Sequence, residues 1–248
     1  MLYQALKDQN DIEHNVFSLL MDGKNGALEF GTFESALVRS PSQLVFVPLA
    51  DRSSSWNVKV DGFRIGLAIF NTRLFQDKDE PRTTGYTLSY TSLARLESGS
   101  PHISLPPNLY EVIMRRLLRD KRHSVENGNL YWGPCNATSY ESLYLLIGET
   151  YFEIPPSTYV TSLEKDGKCL LAFRESEDRR WHLGAPFLRN FYSVWDDKNG
   201  QVGLGPHLTS PITRVHTTRI SDLPRPTNTI TLRDFLRSNL RRIAIVAF

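Results

Sequence analysis

The chain has 248 residues, a formal net charge of +2, 40% hydrophobic residues and 23% charged residues. This composition is typical of an ordinary folded protein and excludes intrinsic disorder. No apolar run reaches the roughly 18 residues that a membrane-spanning helix needs. The first residues lack the basic start and apolar middle of a signal peptide, which leaves a cytosolic protein or a longer chain as the alternatives.

Short strands separated by turn residues are predicted over the first quarter of the chain. Asp22 to Gly26 is typical of a hairpin turn, and Asp61 with Gly62 predicts a second turn. The predicted strands are residues 16–20, 27–30, 44–47, 56–60 and 63–69. Close spacing of this kind favours a mainly β body of the sandwich or barrel type.

One helix is predicted after these strands. Pro106 and Pro107 suit a first helical turn, because proline has no amide hydrogen to lose there. Leu109, Ile113 and Leu117 then recur at helical spacing. The expected architecture is therefore a β-barrel-like body with one short helix.

Residues 207–248 differ from the rest of the chain. They contain seven arginines, no lysine and two acidic residues, a net charge of +5 that leaves the body at −3. Thr231 and Asp234 resemble a helix-start capping pair, which predicts an extended tail ending in a short amphipathic helix. Its candidate partner-binding residues are Arg233, Phe235, Leu236, Arg237, Leu240 and Arg241.

The segment with the most chemical content is residues 97–101, Glu-Ser-Gly-Ser-Pro. An acid, two small hydroxyl residues and a glycine lie between an apolar strand-like run and the predicted helix. Other motifs accompany it in order: VFS at 16–18, LEFG at 28–31, Trp56, VDG at 60–62, LPP at 105–107, FEIPPSTYV at 152–160, WHLG at 181–184, FLRNFYSVWD at 187–196 and NGQVGL at 199–204.

Together these motifs resemble the C-terminal lobe of the pepsin-like aspartic peptidases. The resemblance covers residues 16–206 and implies one lobe over 1–206, followed by the tail over 207–248. Glu97, Ser98, Gly99 and Ser100 then take the place of the family's catalytic loop. Glu97 replaces the usual aspartate, His182 replaces an isoleucine or valine, and the first lobe with its own aspartate has no counterpart in the sequence.

Catalysis in this family needs two carboxylates about 3 Å apart that share one proton. A single lobe supplies at most one, and the longer Glu97 side chain displaces its carboxylate by about 1 Å, which costs on the order of 100-fold in rate. We therefore favour a catalytically inactive relative that serves as a structural or binding subunit of a larger assembly. The alternative is an aspartic endopeptidase completed by a second lobe or by homodimerisation.

Partners are expected to be proteins, through the exposed lobe face and the tail. A nucleic-acid-associated subunit is a second alternative, although the tail holds only two aromatic residues for base stacking. The six histidines show no ligand spacing, so we expect no metal site and no cofactor.

The resemblance also places Cys135 and Cys169 where the family's lobe has a disulfide. Asn136 begins the sequence Asn-Ala-Thr, a weak candidate for glycosylation. The family and the cysteine pair suggest a secretory or organellar lineage, and the compartment stays open.

Overall fold

The protein is described by a computed structural model over residues 5–6, 8–9, 12, 14–51, 56–66, 84–118, 123–126, 130–213, 215–217 and 228–230. In this part of the chain the strands are β1 Val16–Met21, β2 Gly26–Phe30, β3 Val45–Pro48, β4 Asn57–Ile65, β5 Thr84–Leu96, β6 Ile103–Leu105, β7 Ser124–Glu126, β8 Leu130–Gly133, β9 Leu143–Ile147, β10 Thr150–Ile154, β11 Val160–Lys165, β12 Lys168–Leu171, β13 Phe173–Glu175, β14 Trp181–Leu183, β15 Phe191–Asp196, β16 Gln201–Pro206, β17 His216–Thr217 and β18 Asn228–Ile230.

The helices of the same described part are α1 Pro107–Leu117, α2 Pro156–Tyr159 and α3 Ala185–Leu188, with 3₁₀ turns at Ser35–Leu37, Pro41–Gln43 and Ala137–Ser139. The fold is mainly β, as the sequence predicted, and matches a single pepsin-like lobe. No helix among the described residues has the length and apolar character needed to cross a membrane.

The strands form three sheets. A five-stranded sheet has the order β2-β1-β15-β16-β3, and a four-stranded sheet has the order β11-β12-β8-β7. A nine-stranded sheet has the order β13-β6-β14-β5-β4-β9-β10-β17, with β18 paired to β5. Strand β14 lies parallel to β5 and antiparallel to β6, so chain segments distant in sequence meet at this point.

The hairpin predicted at Asp22 to Gly26 is confirmed. Strands β1 and β2 pair in antiparallel register from Phe17 with Phe30 to Met21 with Gly26. The Asp22 carboxylate accepts hydrogen bonds from the backbone amides of Lys24 and Asn25. Gly23 has a φ of 86°, a left-handed conformation that favours glycine.

The turn predicted at Asp61 and Gly62 is wrong. These two residues lie inside β4, whose halves both pair with β5. The pairing register shifts between Val60 and Gly62, which marks a β-bulge. A bulge places one extra residue in a strand and bends it without reversing the chain, and a glycine suits both a bulge and a turn.

The predicted helix is confirmed as α1, with Pro106 at its N-cap and Pro107 in its first turn. Leu109, Ile113 and Leu117 are buried in the main hydrophobic core. That core also holds aromatic pairs that join distant elements, such as Phe63 with Trp181, whose ring centres lie 6.2 Å apart.

The residues directly after the proposed lobe boundary pack against the lobe. Ile212 and Val215 belong to the main core, and β17 pairs with Thr150 and Tyr151 of β10. The boundary at 206/207 stays a prediction. The amphipathic segment 231–248 lies outside the described residues.

Candidate functional site

The loop at Glu97 begins where β5 ends. The Glu97 amide donates to the Leu183 carbonyl at 3.1 Å, and the Ser100 amide donates back to the Glu97 carbonyl at 3.2 Å. The Ser100 carbonyl in turn accepts from the Ala185 amide at 2.7 Å. Backbone hydrogen bonds therefore fix the loop on the junction between β14 and α3.

Gly184 makes this close approach of the two segments possible. A Cβ atom at this position would lie 2.2 Å from the His102 carbonyl oxygen and 2.4 Å from that of Ser100. Both neighbours are backbone atoms, so no side-chain rotation could relieve the clash. The glycine of the WHLG motif thus holds the loop against β14.

Next to the loop, polar side chains form a row across three neighbouring strands of the nine-stranded sheet, β5, β14 and β6. His182 of β14 stands opposite Arg95 of β5 and opposite Ser104 of β6. Each of these polar residues lies between two buried apolar neighbours along its own strand, as His182 does between Trp181 and Leu183. Alternation along a strand places the polar members on the face opposite the core.

The Glu97 carboxylate contacts two members of this neighbourhood. Its Oε1 atom lies 3.0 Å from His182 Nδ1 and 3.5 Å from Arg95 Nη1. The other ring nitrogen of His182 lies 2.7 Å from Asp178 Oδ1. The His182 side chain is 14% exposed and that of Glu97 is 28% exposed, so the contacts are partly shielded from water.

Asp178 is the outer carboxylate of this network. Partial burial acts to raise its pKa, but hydrogen bonds from His182, Ser176 and the Arg180 amide outweigh burial and lower the pKa to about 2. Asp178 is therefore an ionised acceptor at neutral pH, and His182 Nε2 donates to it. The chain Asp178–His182–Glu97–Arg95, here called the Glu97 network, alternates acidic and basic side chains.

The other predicted loop residues, Ser98, Gly99 and Ser100, form the turn itself. Ser98 and Gly99 are exposed at the tip of the turn. The Ser100 hydroxyl donates to the His102 carbonyl at 3.2 Å, which closes the loop locally. The four predicted residues 97–100 thus lie together in one turn. Among them, Glu97 is the one whose side chain belongs to the Glu97 network.

Sequence reasoning missed three members of the network. The sequence marks His182 only as an unusual residue in its motif, and it indicates no role for Arg95 or Asp178. A signal was present, because Arg95 and His182 each interrupt an apolar strand in the pattern apolar-polar-apolar. That two such strands are adjacent and parallel follows from the topology and could not be read from the pattern.

A second surface feature lies on the five-stranded sheet. Phe33 and Phe46 are 41% and 38% exposed beside a pocket of about 290 Å³. Val16 and Val194 contribute to the pocket lining, together with the charged residue Asp196. This region, here called the sheet pocket, combines an apolar floor with a charged rim and has room for one side chain of another molecule.

The remaining predicted sites have different outcomes. Cys135 and Cys169 form a disulfide across 34 residues, which confirms the pairing implied by the resemblance. The six tail residues proposed to bind a partner, Arg233, Phe235, Leu236, Arg237, Leu240 and Arg241, lie outside the described residues. Among the residues that are described, no three His, Cys, Asp or Glu side chains are grouped as metal ligands.

Comparison with known proteins agrees with this architecture. The model of the family "eukaryotic aspartyl protease" matches residues 1–207, so the chain belongs to the eukaryotic aspartyl protease family. Gastricsin from Mus musculus is 22% identical over 191 residues, which cover 74% of this chain and 43% of gastricsin.

Two further relatives are glycoproteins by name. Pregnancy-associated glycoprotein 1 from Bos taurus is 24% identical over 82% of this chain and 49% of its own length. Pregnancy-associated glycoprotein 4 from Ovis aries is 26% identical, with a coverage of 83% and 50%. The chain thus spans about half the length of the curated relatives it matches.

Proposed function

We propose that this chain is a catalytically silent member of its family that acts as a binding subunit of a larger assembly. The observation that carries the proposal is the position of the Glu97 carboxylate, whose Oε1 atom lies within reach of both His182 and Arg95. An aspartic peptidase needs its carboxylate free to share one proton and one water with a second carboxylate. An oxygen already in contact with the His182 ring and the Arg95 guanidinium does not serve that purpose.

Two differences from the family motif, at Glu97 and at His182, also favour a catalytically silent site. Glu97 is one methylene longer than aspartate, and its carboxylate contacts the neighbouring polar row at His182 and Arg95. His182, which stands where the family has an apolar residue, supplies the ring nitrogen that contacts the Glu97 carboxylate. Our proposal is that the two changes together replace a reactive position with a structural polar network.

The first experiment measures peptide hydrolysis by the purified, disulfide-bonded chain. We expect no cleavage of an acid-denatured protein substrate from acid to neutral pH, under conditions in which an active aspartic peptidase cleaves it. We also expect E97A to behave like the wild-type chain. Cleavage that a statine-type inhibitor blocks and that E97A abolishes would overturn the proposal and support the endopeptidase alternative.

The endopeptidase alternative has one observation in its favour. The backbone of the loop is intact, with the Ser100 carbonyl bound to the Ala185 amide and Gly184 packed beneath it. A second lobe from another chain could then supply the missing carboxylate. Mixing the chain with a candidate first lobe and repeating the hydrolysis assay tests this alternative directly.

The binding surface that we propose is the sheet pocket. Phe33 and Phe46 flank it, and a partner that inserts one apolar side chain between them would bury both rings. Exposed aromatic residues around a small cavity are typical of protein contact sites. The charged rim, with Asp196 and Lys198, would orient the incoming polypeptide.

The second experiment identifies proteins that the full chain retains by quantitative affinity purification. A specific partner is retained by wild-type chain and by E97A and lost from the F33S/F46S double variant. The matched control is L163S, because Leu163 is 58% exposed on β11, in a different sheet. A partner that E97A loses, or that F33S/F46S retains, would contradict binding through the sheet pocket.

A further inference from the structure

We propose that Asn136 is an acceptor for an N-linked glycan. Residues 136–138 form the one Asn-X-Ser/Thr sequence in the chain, with alanine at the middle position, where only proline would forbid modification. The sequence motif alone is a weak signal, because chance matches occur often. Three structural observations make it specific.

The first observation is exposure. Asn136 and Thr138 are both exposed, and they lie in the connection between β8 and β9. The residues on either side are anchored, since Trp132 and Gly133 pair with β12 and Tyr140 is buried. The acceptor therefore projects from a fixed surface turn rather than from a strand or the core.

The second observation is the geometry of the carboxamide. Asn136 Oδ1 accepts hydrogen bonds from the Thr138 hydroxyl at 2.8 Å and from the Thr138 amide at 3.1 Å. These contacts hold the carbonyl side of the carboxamide toward the chain. The Nδ2 atom, which must react, is thereby directed to the opposite side.

The third observation is the neighbouring disulfide. Cys135, the residue before the acceptor, is bonded to Cys169. Disulfides form and persist in oxidising compartments, and the secretory pathway is the one that also transfers oligosaccharides to asparagine. The same turn thus carries two features that need the same compartment.

The reaction takes an oligosaccharide linked to a polyprenyl diphosphate as the donor. Asn136 Nδ2 forms a bond to the anomeric carbon of the first sugar, and the bond from that carbon to the diphosphate oxygen breaks. The lipid diphosphate leaves with the electron pair of that bond, and the amide nitrogen loses one proton. No oxidant or reductant takes part.

The test expresses the full chain with its disulfide through the secretory pathway of a eukaryotic host. The protein is then treated with peptide N-glycosidase in ¹⁸O-labelled water, and its peptides are examined by mass spectrometry. We expect the peptide that contains residue 136 to show conversion of Asn136 to labelled aspartate. Asn15, which is followed by valine and lies outside any such sequence, is the internal negative control and should remain unlabelled.

Three variants separate modification from folding. N136Q and T138A should lose the glycan, whereas T138S should keep it because serine also supplies the hydroxyl. Each variant is examined only as the secreted, disulfide-bonded form, so that a misfolded product is not counted. An unmodified Asn136 in the secreted wild-type protein, or a glycan that persists in T138A, would overturn the proposal.

Discussion

The two faces of strand β14 and its neighbours carry side chains of different character. On the inner face Trp181 and Leu183 are fully buried in the main core. On the outer face His182 contacts Glu97 and Asp178. The inner face thus packs into the core, whereas the outer face supplies polar partners to the loop at Glu97.

The inner face sets the stability of the loop. Trp181 has no solvent exposure, and its indole Nε1 donates to the Ser92 hydroxyl at 3.0 Å. We expect W181A to lower the free energy of unfolding by about 3–5 kcal/mol, because it leaves a large cavity and removes a hydrogen bond. Urea denaturation followed by circular dichroism measures this change.

W181F is the control for that experiment, since it keeps most of the buried volume and loses the indole hydrogen bond. It should cost clearly less than W181A. Equal losses in the two variants would mean that the hydrogen bond, and not the packing, supports the inner face.

The junction between the faces depends on Gly184. Because an added Cβ would meet backbone carbonyls of His102 and Ser100, G184A must displace the loop. We expect a loss of about 1–3 kcal/mol in the free energy of unfolding, as for other overpacked sites. The matched control is G99A, since a Cβ at Gly99 meets nothing within 4 Å. A G184A variant as stable as G99A would contradict the close approach described for this loop.

The contacts of Asp178 on the outer face predict that the free energy of unfolding depends on pH. The pKa of Asp178 lies at about 2, below its ordinary value of 3.8, so its ionised form stabilises the folded state. This contribution is complete above the ordinary value and is lost as the pH falls from about 4 toward 2. The free energy of unfolding of wild-type protein should therefore fall more steeply than that of D178N over this range.

Denaturation midpoints measured at closely spaced pH values check this difference. The other carboxylates titrate in both proteins and cancel in the comparison. Parallel curves for wild-type protein and D178N would show that Asp178 is not held by His182, Ser176 and the Arg180 amide.

The sequence predicted elements that depend on local signals and missed features that depend on strand pairing. Helix α1 and the β1–β2 hairpin follow from local signals, namely a proline start with helical spacing and a turn with Asp22 and Gly23. The prediction of a turn at Gly62 is wrong because a local sequence pattern does not distinguish a β-bulge from a chain-reversing turn. Whether a strand continues is decided by its partner, which here is β5.

The Glu97 network could not be predicted for the same reason. Arg95 and His182 are 87 positions apart in numbering and meet only because β14 enters the sheet between β5 and β6. The sequence identified the unusual residues, and the topology determined which of them contact each other. The resemblance to a family pointed to Glu97, and the topology determined which side chains contact its carboxylate.

A double-mutant cycle on Glu97 and His182 tests the central claim most directly. E97Q, H182Q and the double variant are compared with wild-type protein by the free energy of unfolding at neutral pH. We predict a favourable coupling of about 0.5–3 kcal/mol, as for side chains in direct contact within one network. Additive effects of the two substitutions would show that the Glu97 carboxylate is not engaged by His182, and would contradict this account of the loop.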